Sequence, residues 1–370
     1  MLKQYKLKNY HFQLIAYVTL LTILGIMIIG SAEESVQNKQ IAGFVGGLII
    51  MVVVSLMDYT VLLKFSWIYY IGICGLLILV YAFGDSSHNA QRWFSIAGIK
   101  FQPSEVSKIG IILFFAAFFA KYHEKVNTLK MLMLSFILAG IPLVLILKQP
   151  DLSTTIVTAL IFITLLFIAG LSYKIVVGAL AIGIPSVIIV LALTVSGKVD
   201  FLIGYQRTRI MAWLDPTNPE FSDKARQQQN SIMAIGSGQL WGKGLNNSAA
   251  TSMKNANYII EPQTDFIFAV TGEELGFIGT IAIILLTFLI VIECILIARK
   301  AKDLSGRLIC CGVAAWIGFQ AFVNICVATG LFPNTGVTLP FVSYGLTSLM
   351  SLYIAIGFVL NVGLQPKKYH

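Results

Sequence analysis

One short segment, where a long polar stretch gives way to an apolar one, begins with a glutamate and contains three further carboxylates. The segment runs from Glu261 to Gly276 and contains Asp265, Glu273 and Glu274. A carboxylate beside hydrocarbon is costly, and membrane proteins keep one there mainly where it lines a wet cavity and acts on a ligand. Carboxylates in such positions can serve as general bases, so this segment is the first candidate for chemistry.

Several cations occur in the predicted outer loops and in neighbouring apolar stretches. Lysine and arginine bind phosphate groups, and arginine does so through a bidentate fork. A cavity that shared such cations with a carboxylate would suit a phosphate-bearing substrate. The candidates are Arg92 beside Trp93, Lys108 three residues after Glu105, and Arg207 and Arg209 in the segment Tyr-Gln-Arg-Thr-Arg.

Each of these residues also has an explanation that needs no substrate. Asp265 could cap the apolar helix that follows it. Glu105 and Lys108 are three residues apart, so they could neutralise each other on one face of a helix. Asp151 lies at a tight outer turn, where it could simply begin the next helix. The residues alone leave both explanations open.

Other kinds of site are not indicated. The glycine-rich segment 236–244 resembles a phosphate loop only superficially, because Gly238 and Gly242 enclose three residues and Gly244 replaces the Ser/Thr. The four histidines are scattered, and the five cysteines lie within apolar stretches. We therefore expect no nucleotide site, no His/Cys metal cluster and no disulfide framework.

The elements that must position these groups are membrane helices. Apolar residues make up 57% of the chain and charged residues 12%, whereas a soluble domain is roughly 45 to 50% apolar. Repeated apolar runs of about 20 residues have the length that crosses a hydrocarbon core. They predict one all-α polytopic membrane domain over residues 1–370 with about ten spans, at 12–31, 41–57, 66–83, 105–120, 131–147, 152–170, 174–195, 275–298, 308–330 and 341–364.

The distribution of positive charge predicts the orientation of these spans. With the N-terminus inside, the inner segments carry about fourteen lysines and arginines and the short outer loops carry four. Both termini are therefore predicted to be cytoplasmic. The net charge of +9 reflects this asymmetry, and no basic stripe suggests a nucleic acid partner.

One large outer loop interrupts the helical pattern between predicted spans 7 and 8. Residues 196–264 lack an apolar span, and loops of this length are often functional. Within the loop, 204–214 and 227–235 have the spacing of short amphipathic helices. The stretch 265–297 that follows would be about 50 Å long as a single helix, which is too long for one perpendicular crossing. Its first turns are expected in an outer cavity, with Asp265 at the mouth.

Seven motifs in this order resemble the SEDS family, the shape, elongation, division and sporulation proteins of RodA, FtsW and SpoVE type. The resemblance covers almost the entire chain. It rests on Ala90–Trp93, Phe101–Glu105 with Lys108, Gln149–Leu152, Ala234–Gly238 with Gly242–Gly244, Thr264–Ala269, Gly272–Gly276 and Leu339–Gly345.

This resemblance implies an enzyme. Proteins of the family polymerise glycan strands of bacterial peptidoglycan from lipid II at the outer face of the cytoplasmic membrane. They act with a class B penicillin-binding protein, which crosslinks the strands, and with other membrane proteins of the elongation or division complexes. The reaction implied is inverting: it forms a β-1,4 linkage and releases undecaprenyl pyrophosphate.

The resemblance also implies roles for particular residues. Asp265 matches the family's essential acidic residue and would deprotonate the acceptor hydroxyl as a general base. Glu105 and Lys108 match a family site in a central cavity. The length of the stretch 265–297, apart from the resemblance, predicts that Glu273 and Glu274 lie near the head groups and support the site. The cations that could neutralise the leaving pyrophosphate, with or without a divalent cation such as Mg²⁺ or Mn²⁺, are Arg92, Lys108, Arg207, Arg209 and Lys243. The other substrate-binding candidates are Trp93, Asp151, Glu261 and Ser343.

The chain departs from the family pattern in three places. Leu346 follows Ser-Tyr-Gly where a second glycine is usual, and Ser153 replaces a glycine after Gln-Pro-Asp-Leu. The proline of the acidic motif follows the glutamate, as Pro262, instead of preceding it. These changes affect local backbone geometry more than chemistry. Gln149 ahead of Pro-Asp favours the RodA-like elongation branch over the division branch.

Two other functions would use the same features. A lipid II flippase would explain polar groups such as Glu105 and Lys108 inside spans, and a non-catalytic scaffold would use the spans and the long loop as a docking surface. A flippase needs access from both sides of the membrane, whereas the polar loop mass lies on one side. The sequence therefore favours the glycosyltransferase. No role is predicted for 246–258.

Overall fold

The structure is a bundle of long apolar helices. The computed structural model describes residues 10–87, 90–96, 99–178, 181, 185, 189, 192, 204–246 and 259–365. In this part of the chain eight helices are long and apolar enough to cross a membrane, and a further apolar helix, Leu152–Ile168, is shorter. The predicted all-α polytopic architecture is confirmed. Most of the predicted span 174–195 and of the segment 246–258 lies outside the described residues, so the count of ten spans stays a prediction.

Most helices begin and end near their predicted limits. The largest difference among the early spans is at α2, which starts seven residues before the apolar run at 41. Its first turns contain Gln40, which is buried and donates a hydrogen bond to the Ser343 carbonyl oxygen at 3.2 Å. The helices are α1 (Phe12–Ala32), α2 (Glu34–Leu56), α3 (Tyr59–Leu62), α4 (Ser66–Phe83), α5 (Pro103–Lys121), α6 (Leu129–Lys148), α7 (Leu152–Ile168), α8 (Gly204–Leu214), α9 (Ser222–Ser237), α10 (Ile267–Lys300), α11 (Leu304–Ala328) and α12 (Leu346–Leu364). Short 3₁₀ helices occupy Leu63–Phe65 and His123–Lys125.

Three helices form the centre of the bundle. The apolar window of α5 is 83% buried, that of α12 is 78% buried and that of α11 is 67% buried, whereas the other five candidate spans are 28 to 39% buried. These polar side chains of α5 and α11 are enclosed by protein: Glu105, Lys108, Gln320 and Asn324. Because protein surrounds these positions, α5 and α11 can carry charged and amide groups without exposing them to hydrocarbon.

A small antiparallel sheet covers the connection between α4 and α5. Its strand β1 (Asp85–Ser87) pairs with β2 (Ala90–Ile96), and β2 pairs with β3 (Ile99–Phe101). The sequence analysis predicted no strands here. Thr347 at the start of α12 ties the sheet to the bundle, because its hydroxyl donates to the Lys100 carbonyl oxygen at 3.1 Å. The sheet thereby holds Arg92 and Trp93, both on β2, at this end of the molecule.

The two helices of the long loop dock on the same end. Helix α8 has its predicted bounds, and α9 begins five residues before its predicted start at 227. Ser231 on α9 donates to the Ala328 carbonyl oxygen at 2.7 Å, and Trp213 on α8 donates to the Gly330 carbonyl oxygen at 2.8 Å. The last turn of α11 thus anchors the loop.

Helix α10 is broken at Gly276, whose backbone is non-helical (φ 63°, ψ −159°). The long stretch is therefore two helical pieces, consistent with the prediction that it could not cross as one. The break frees backbone groups that need new partners. The glycine-rich segment 236–244 supplies them: Lys243 N–H bonds Glu273 O and Gly244 N–H bonds Glu274 O, both at 2.9 Å, while Phe277 N–H bonds Gln239 O at 2.8 Å and Ile278 N–H bonds Leu240 O at 3.3 Å.

We expect the Gly242→Ala substitution to destabilise this junction strongly. Gly242 has a positive φ of 77°, and a Cβ atom there would lie 2.1 Å from the Glu274 carbonyl oxygen. The left-handed backbone alone costs roughly 1–2 kcal/mol for a residue with a Cβ, and the contact with backbone adds to it. The measurement is the melting temperature of the detergent-solubilised protein.

Gly236→Ala is the matched control for Gly242→Ala. Gly236 lies in α9, and a Cβ atom there would meet nothing within 4 Å. Alanine in a helix is favoured over glycine by roughly 0.5–1 kcal/mol, so this variant should melt at the same or a higher temperature. Equal melting of the two variants would contradict the proposed role of the segment.

Candidate active site

Asp265 lies immediately before α10 in a partly buried position. The N-cap of α10 is Phe266, and no side chain caps the helix. The simple capping explanation for Asp265 is therefore wrong. Burial raises the pKa of its carboxyl group to about 6, and the nearby Arg209 guanidinium opposes this rise. Arg92 also lowers this pKa, whereas Glu261 and Asp151 raise it.

The backbone that leads to Asp265 is held at three consecutive carbonyl groups. The donors come from α11 and from the segment before α12, so two parts of the bundle fix the position of one carboxylate. The bonds run from Tyr344 N–H to Gln263 O (2.9 Å), from Ser343 Oγ–H to Thr264 O (2.7 Å) and from Asn324 Nδ2–H to Asp265 O (2.8 Å). Ser343, predicted to bind substrate, thus supports the backbone of the candidate base.

Arg92 reaches from the sheet to the turn before α7. Its Nε donates to the Gln149 carbonyl oxygen at 2.9 Å, and its Nη2 donates to the Pro150 carbonyl oxygen. Its Nη1 lies 4.0 Å from Asp151 Oδ2. Asp151 also caps α7 by accepting the Thr154 N–H at 3.1 Å. The residue therefore starts the helix, as one explanation held, and also pairs with a candidate substrate-binding cation.

Arg209 on α8 lies against the loop that follows α11. Its Nη1 donates to the Asn334 carbonyl oxygen at 3.1 Å. A Cβ atom at Gly336 would lie 3.1 Å from Asp265 Oδ2 and 3.6 Å from Arg209 Nη1, so both side chains face this part of the loop. Ser153 on α7 donates to the Thr335 carbonyl oxygen and secures the loop from the other side. Arg209 and Asp265 thus share one small region.

Glu105 and Lys108 form a buried network in the centre of the bundle. Lys108 Nζ donates to Glu105 Oε1 at 2.8 Å and to Gln320 Oε1 at 2.7 Å, and it lies 4.8 Å from the ring centroid of Trp316. The amide nitrogen of Gln320 donates to Thr338 O at 3.0 Å. The pair neutralises itself, as one explanation held, and it is also connected to the loop beside Asp265.

The structure does not bring Lys243 to the charges that act on Asp265. Its ammonium group donates to Glu273 Oε1 at 2.7 Å, beside the break in α10. Glu273 and Glu274 are each 1% exposed, and Ser31 donates to Glu274 Oε1 at 2.5 Å. Both glutamates are therefore enclosed by protein, and their depth relative to the head groups stays a prediction. Lys243 and Glu273 thus form a pair beside the break in α10, and the substrate-binding role of Lys243 stays a prediction.

The remaining candidates lie on or next to the segments that carry Arg92, Arg209 and Asp265. Arg207 is two residues before Arg209 on α8 and is partly buried. Trp93 is partly buried on β2. Glu261 is exposed, has a positive φ of 50° and is close enough to affect the pKa of Asp265.

Gln320 and Asn324 are the residues whose importance the sequence analysis missed or underestimated. Both are completely buried on α11 and hydrogen-bond to the loop around residues 337–338. Neither residue is among the site residues predicted from the sequence. An amide inside an apolar span is itself a signal, because it needs partners that lipid cannot supply.

The arrangement combines a carboxyl group of raised pKa with two positive charges and two further carboxylates, Glu261 and Asp151. Asp265 can take up a proton near neutral pH, and Arg209 and Arg92 can stabilise a developing anion. Among the described residues, no three His, Cys, Asp or Glu side chains lie close enough to hold a metal ion. Mg²⁺ is often bound by one or two carboxylates together with substrate phosphates, and this site could offer only such an arrangement. A divalent cation stays a prediction.

Sequence comparisons find similar proteins over most of the chain. Residues 5–368 match the FtsW/RodA/SpoVE family model, described as cell cycle protein. The probable peptidoglycan glycosyltransferase FtsW of Geobacter sulfurreducens is 31% identical over 376 residues, which cover 98% of this chain and 97% of that protein. The protein of the same name from Nitrosomonas europaea is 35% identical over 306 residues, covering 81% and 75%.

Solved structures share the fold. A chain from a peptidoglycan synthase complex, studied for its structural coordination of polymerization and crosslinking, superposes with a TM-score of 0.78 at 27% identity and covers 96% of this chain and 97% of that one. The rod shape determining protein RodA of Thermus thermophilus gives a TM-score of 0.69 at 26% identity, with 96% of each chain covered. Because both FtsW and RodA proteins match, the RodA-like branch stays a prediction.

Proposed function

Because the chain belongs to the FtsW, RodA and SpoVE family of cell cycle proteins and is a multi-pass membrane peptidoglycan glycosyltransferase, we propose that Asp265 is its general base and lipid II its substrate. One observation carries this proposal. The carboxyl group of Asp265 lies within reach of the charges of Arg209 and Arg92, at a place where three hydrogen bonds hold its backbone.

The proposed reaction joins two lipid-linked saccharides. The 4-hydroxyl oxygen of the acceptor sugar bonds to the anomeric carbon of the donor while its proton passes to the Asp265 carboxylate. The bond between that carbon and the pyrophosphate oxygen breaks, and the electron pair leaves with undecaprenyl pyrophosphate. Attack from the face opposite the leaving group inverts an α-linked donor and gives a β-1,4 linkage. A positioned base contributes roughly 10²- to 10⁴-fold to such a step.

The two arginines have different parts in this proposal. Arg209 faces Asp265 directly and is our first candidate for binding the pyrophosphate oxygens. Arg92 donates to two backbone carbonyl groups and lies beside Asp151, so it holds the turn before α7 and adds positive potential. A preorganised cation at the leaving group is worth several kcal/mol, because it stabilises charge that develops in the transition state.

The site is proposed to open on the outer face of the membrane. His11, before α1, would contact a Cβ atom at Gly363 at 2.9 Å, so both ends of the described chain lie at one end of the bundle. Asp265 lies at the end where α10 begins and α11 finishes, opposite to them. The excess of lysine and arginine on the side of the termini supports a cytoplasmic location for that side. We further propose a class B penicillin-binding protein as the crosslinking partner.

A polymerisation assay tests the proposed function. The purified chain, reconstituted with lipid II and its penicillin-binding partner, should convert the substrate into glycan polymer. Translocation of lipid II across liposomes without any polymer would instead support the flippase. Retention of partner binding with no polymer under any condition would support the scaffold. Each result separates one of the three functions from the others.

We expect activity to depend on the ionisation of Asp265. Since the base is active only when deprotonated, kcat/KM should rise with pH and level off above about 6, and at pH 5 it should be about tenfold below the plateau. In the Arg209→Gln variant the rise of kcat/KM should occur at higher pH, because Arg209 lowers the pKa of Asp265. A flat pH profile between 5 and 8 in both proteins would contradict the assignment.

The same ionisation affects stability in the opposite direction. The folded state binds this proton more tightly than the unfolded state, whose carboxyl group has the ordinary pKa of 3.8. The contribution of Asp265 is therefore most favourable below pH 3.8 and is lost as the pH rises to about 6. The active enzyme works with its base in the less stable form.

A further inference from the structure

A polar cleft beside Arg209 has the size and chemistry of a binding pocket. It is lined by Arg209, Ala212, Gln227, Gln228 and Asn334 and has a volume of about 50 Å³. One water molecule needs roughly 10–15 Å³ of such cavity volume, so the cleft holds about three or four non-hydrogen atoms. That is too small for a sugar ring and suits one substituent of a ring.

The lining residues select for a neutral polar group. The one charge in the lining is the guanidinium group of Arg209, which also faces Asp265. The other polar side chains are amides, which hydrogen-bond without a net charge. If Arg209 binds one phosphate group, a second phosphate group in the cleft would meet no other cation among these lining residues. A group that both donates and accepts a hydrogen bond fits them better.

Asn334 leaves one such bond unmade. Its side-chain oxygen is buried and accepts no hydrogen bond from the described residues. Its amide nitrogen makes only a long contact of 3.4 Å with Gln227 Oε1. A buried acceptor without a donor costs about 1–3 kcal/mol. An N–H group from a ligand would remove that cost.

We propose that this cleft binds an acetamido group of the saccharide substrate. The inference rests on the proposed function and adds a recognition site to it. An acetamido group has four non-hydrogen atoms: its N–H would donate to Asn334 Oδ1, its carbonyl oxygen would accept from Arg209 or Gln227, and its methyl group would pack on Ala212. Because Arg209 lines the cleft and also lies near Asp265, a sugar whose 2-acetamido group occupies the cleft would lie next to Asp265.

Substrate analogues test this assignment. Two analogues of lipid II, each with a hydroxyl group in place of one acetamido group, are compared with the natural substrate. One lost neutral hydrogen bond should lower kcat/KM of the wild type about 3- to 10-fold for one of the analogues. The Asn334→Ala variant should process the natural substrate and that analogue at the same low rate. Asn334→Ala with undiminished discrimination would overturn the inference.

Further variants guard against effects on folding. Ala212→Leu fills the cleft without removing a polar group, and it should abolish the same discrimination while the melting temperature shows that the protein folds. Asn218→Ala is the matched control, because Asn218 lies in the same loop and its side chain accepts from Glu220 N–H at 3.0 Å, within the turn between α8 and α9. This control should discriminate like the wild type; loss of discrimination there would overturn the assignment to the cleft.

The inference and the proposed function can fail separately. If the wild type makes no polymer, the proposed function fails. Suppose instead that the wild type makes polymer. If the inactive Asp265→Asn protein then binds natural lipid II and the analogue equally tightly, and if adding Asn334→Ala changes neither affinity, only the acetamido pocket fails. Weaker binding of the natural substrate alone in Asn334→Ala supports the pocket.

Discussion

The Asp265→Asn variant should lose nearly all polymerisation activity and keep its fold. The substitution preserves the shape of the side chain and removes its ability to accept a proton. We expect kcat to fall by roughly 10²- to 10⁴-fold, the usual contribution of a positioned base. Binding of lipid II should change little, because the cations proposed to contact the substrate remain.

Stability distinguishes loss of the base from loss of the fold. Burial disfavours the ionised carboxyl group of Asp265, since it raises its pKa to about 6. A neutral amide avoids that cost, so Asp265→Asn should melt at the same or a higher temperature at pH 8. Lost activity together with unchanged or increased stability is the result expected for a catalytic residue whose ionised form destabilises the fold.

Asp215→Asn provides the matched control for Asp265→Asn. Asp215 follows α8 in the same loop, is exposed, and accepts a hydrogen bond from Thr217 Oγ1 at 2.9 Å. Its replacement should leave both polymerisation and melting unchanged. Activity of Asp265→Asn above about one tenth of the wild type would contradict the role of general base.

Local patterns predicted the parts of this molecule that depend on a few consecutive residues. The periodicity of 204–214 gave the bounds of α8, and the length of 265–297 indicated that α10 is too long for one perpendicular crossing. The change from polar loop to apolar helix identified Asp265. Each of these features depends on residues that lie close together in the chain, so it can be predicted from that segment alone.

Contacts between distant segments were not predictable in the same way. Lys243 was grouped with the substrate-binding cations by its charge, but its partner Glu273 lies 30 positions along the chain, and the pairing follows from the break at Gly276. The strand β2 was missed because its partners, β1 and β3, have only three residues each and give no strand pattern of their own. The convergence of Asp265 with Arg209 and Arg92 depends on how three segments dock, which no periodicity encodes.

The buried pair of Glu105 and Lys108 gives the second large expected effect. Lys108 is completely buried, and Glu105 Oε2 accepts no hydrogen bond from the described residues. Lys108→Met would leave the carboxylate buried without its cation, which typically costs about 3–5 kcal/mol. We therefore expect the melting temperature of this variant to fall sharply and polymer formation to be lost with it.

The double variant Glu105→Leu with Lys108→Met separates stability from catalysis. Apolar residues of similar volume often replace a buried ion pair without loss of stability, so melting should recover close to the wild type. Polymerisation should recover only in part, because Gln320 loses its bond from Lys108 while it still holds Thr338 in the loop beside Asp265. A lowered kcat with unchanged KM would show that the pair positions the loop, and a raised KM would show the substrate contact that the sequence suggested. Full activity of the double variant would contradict both roles and leave the pair with a part in folding alone.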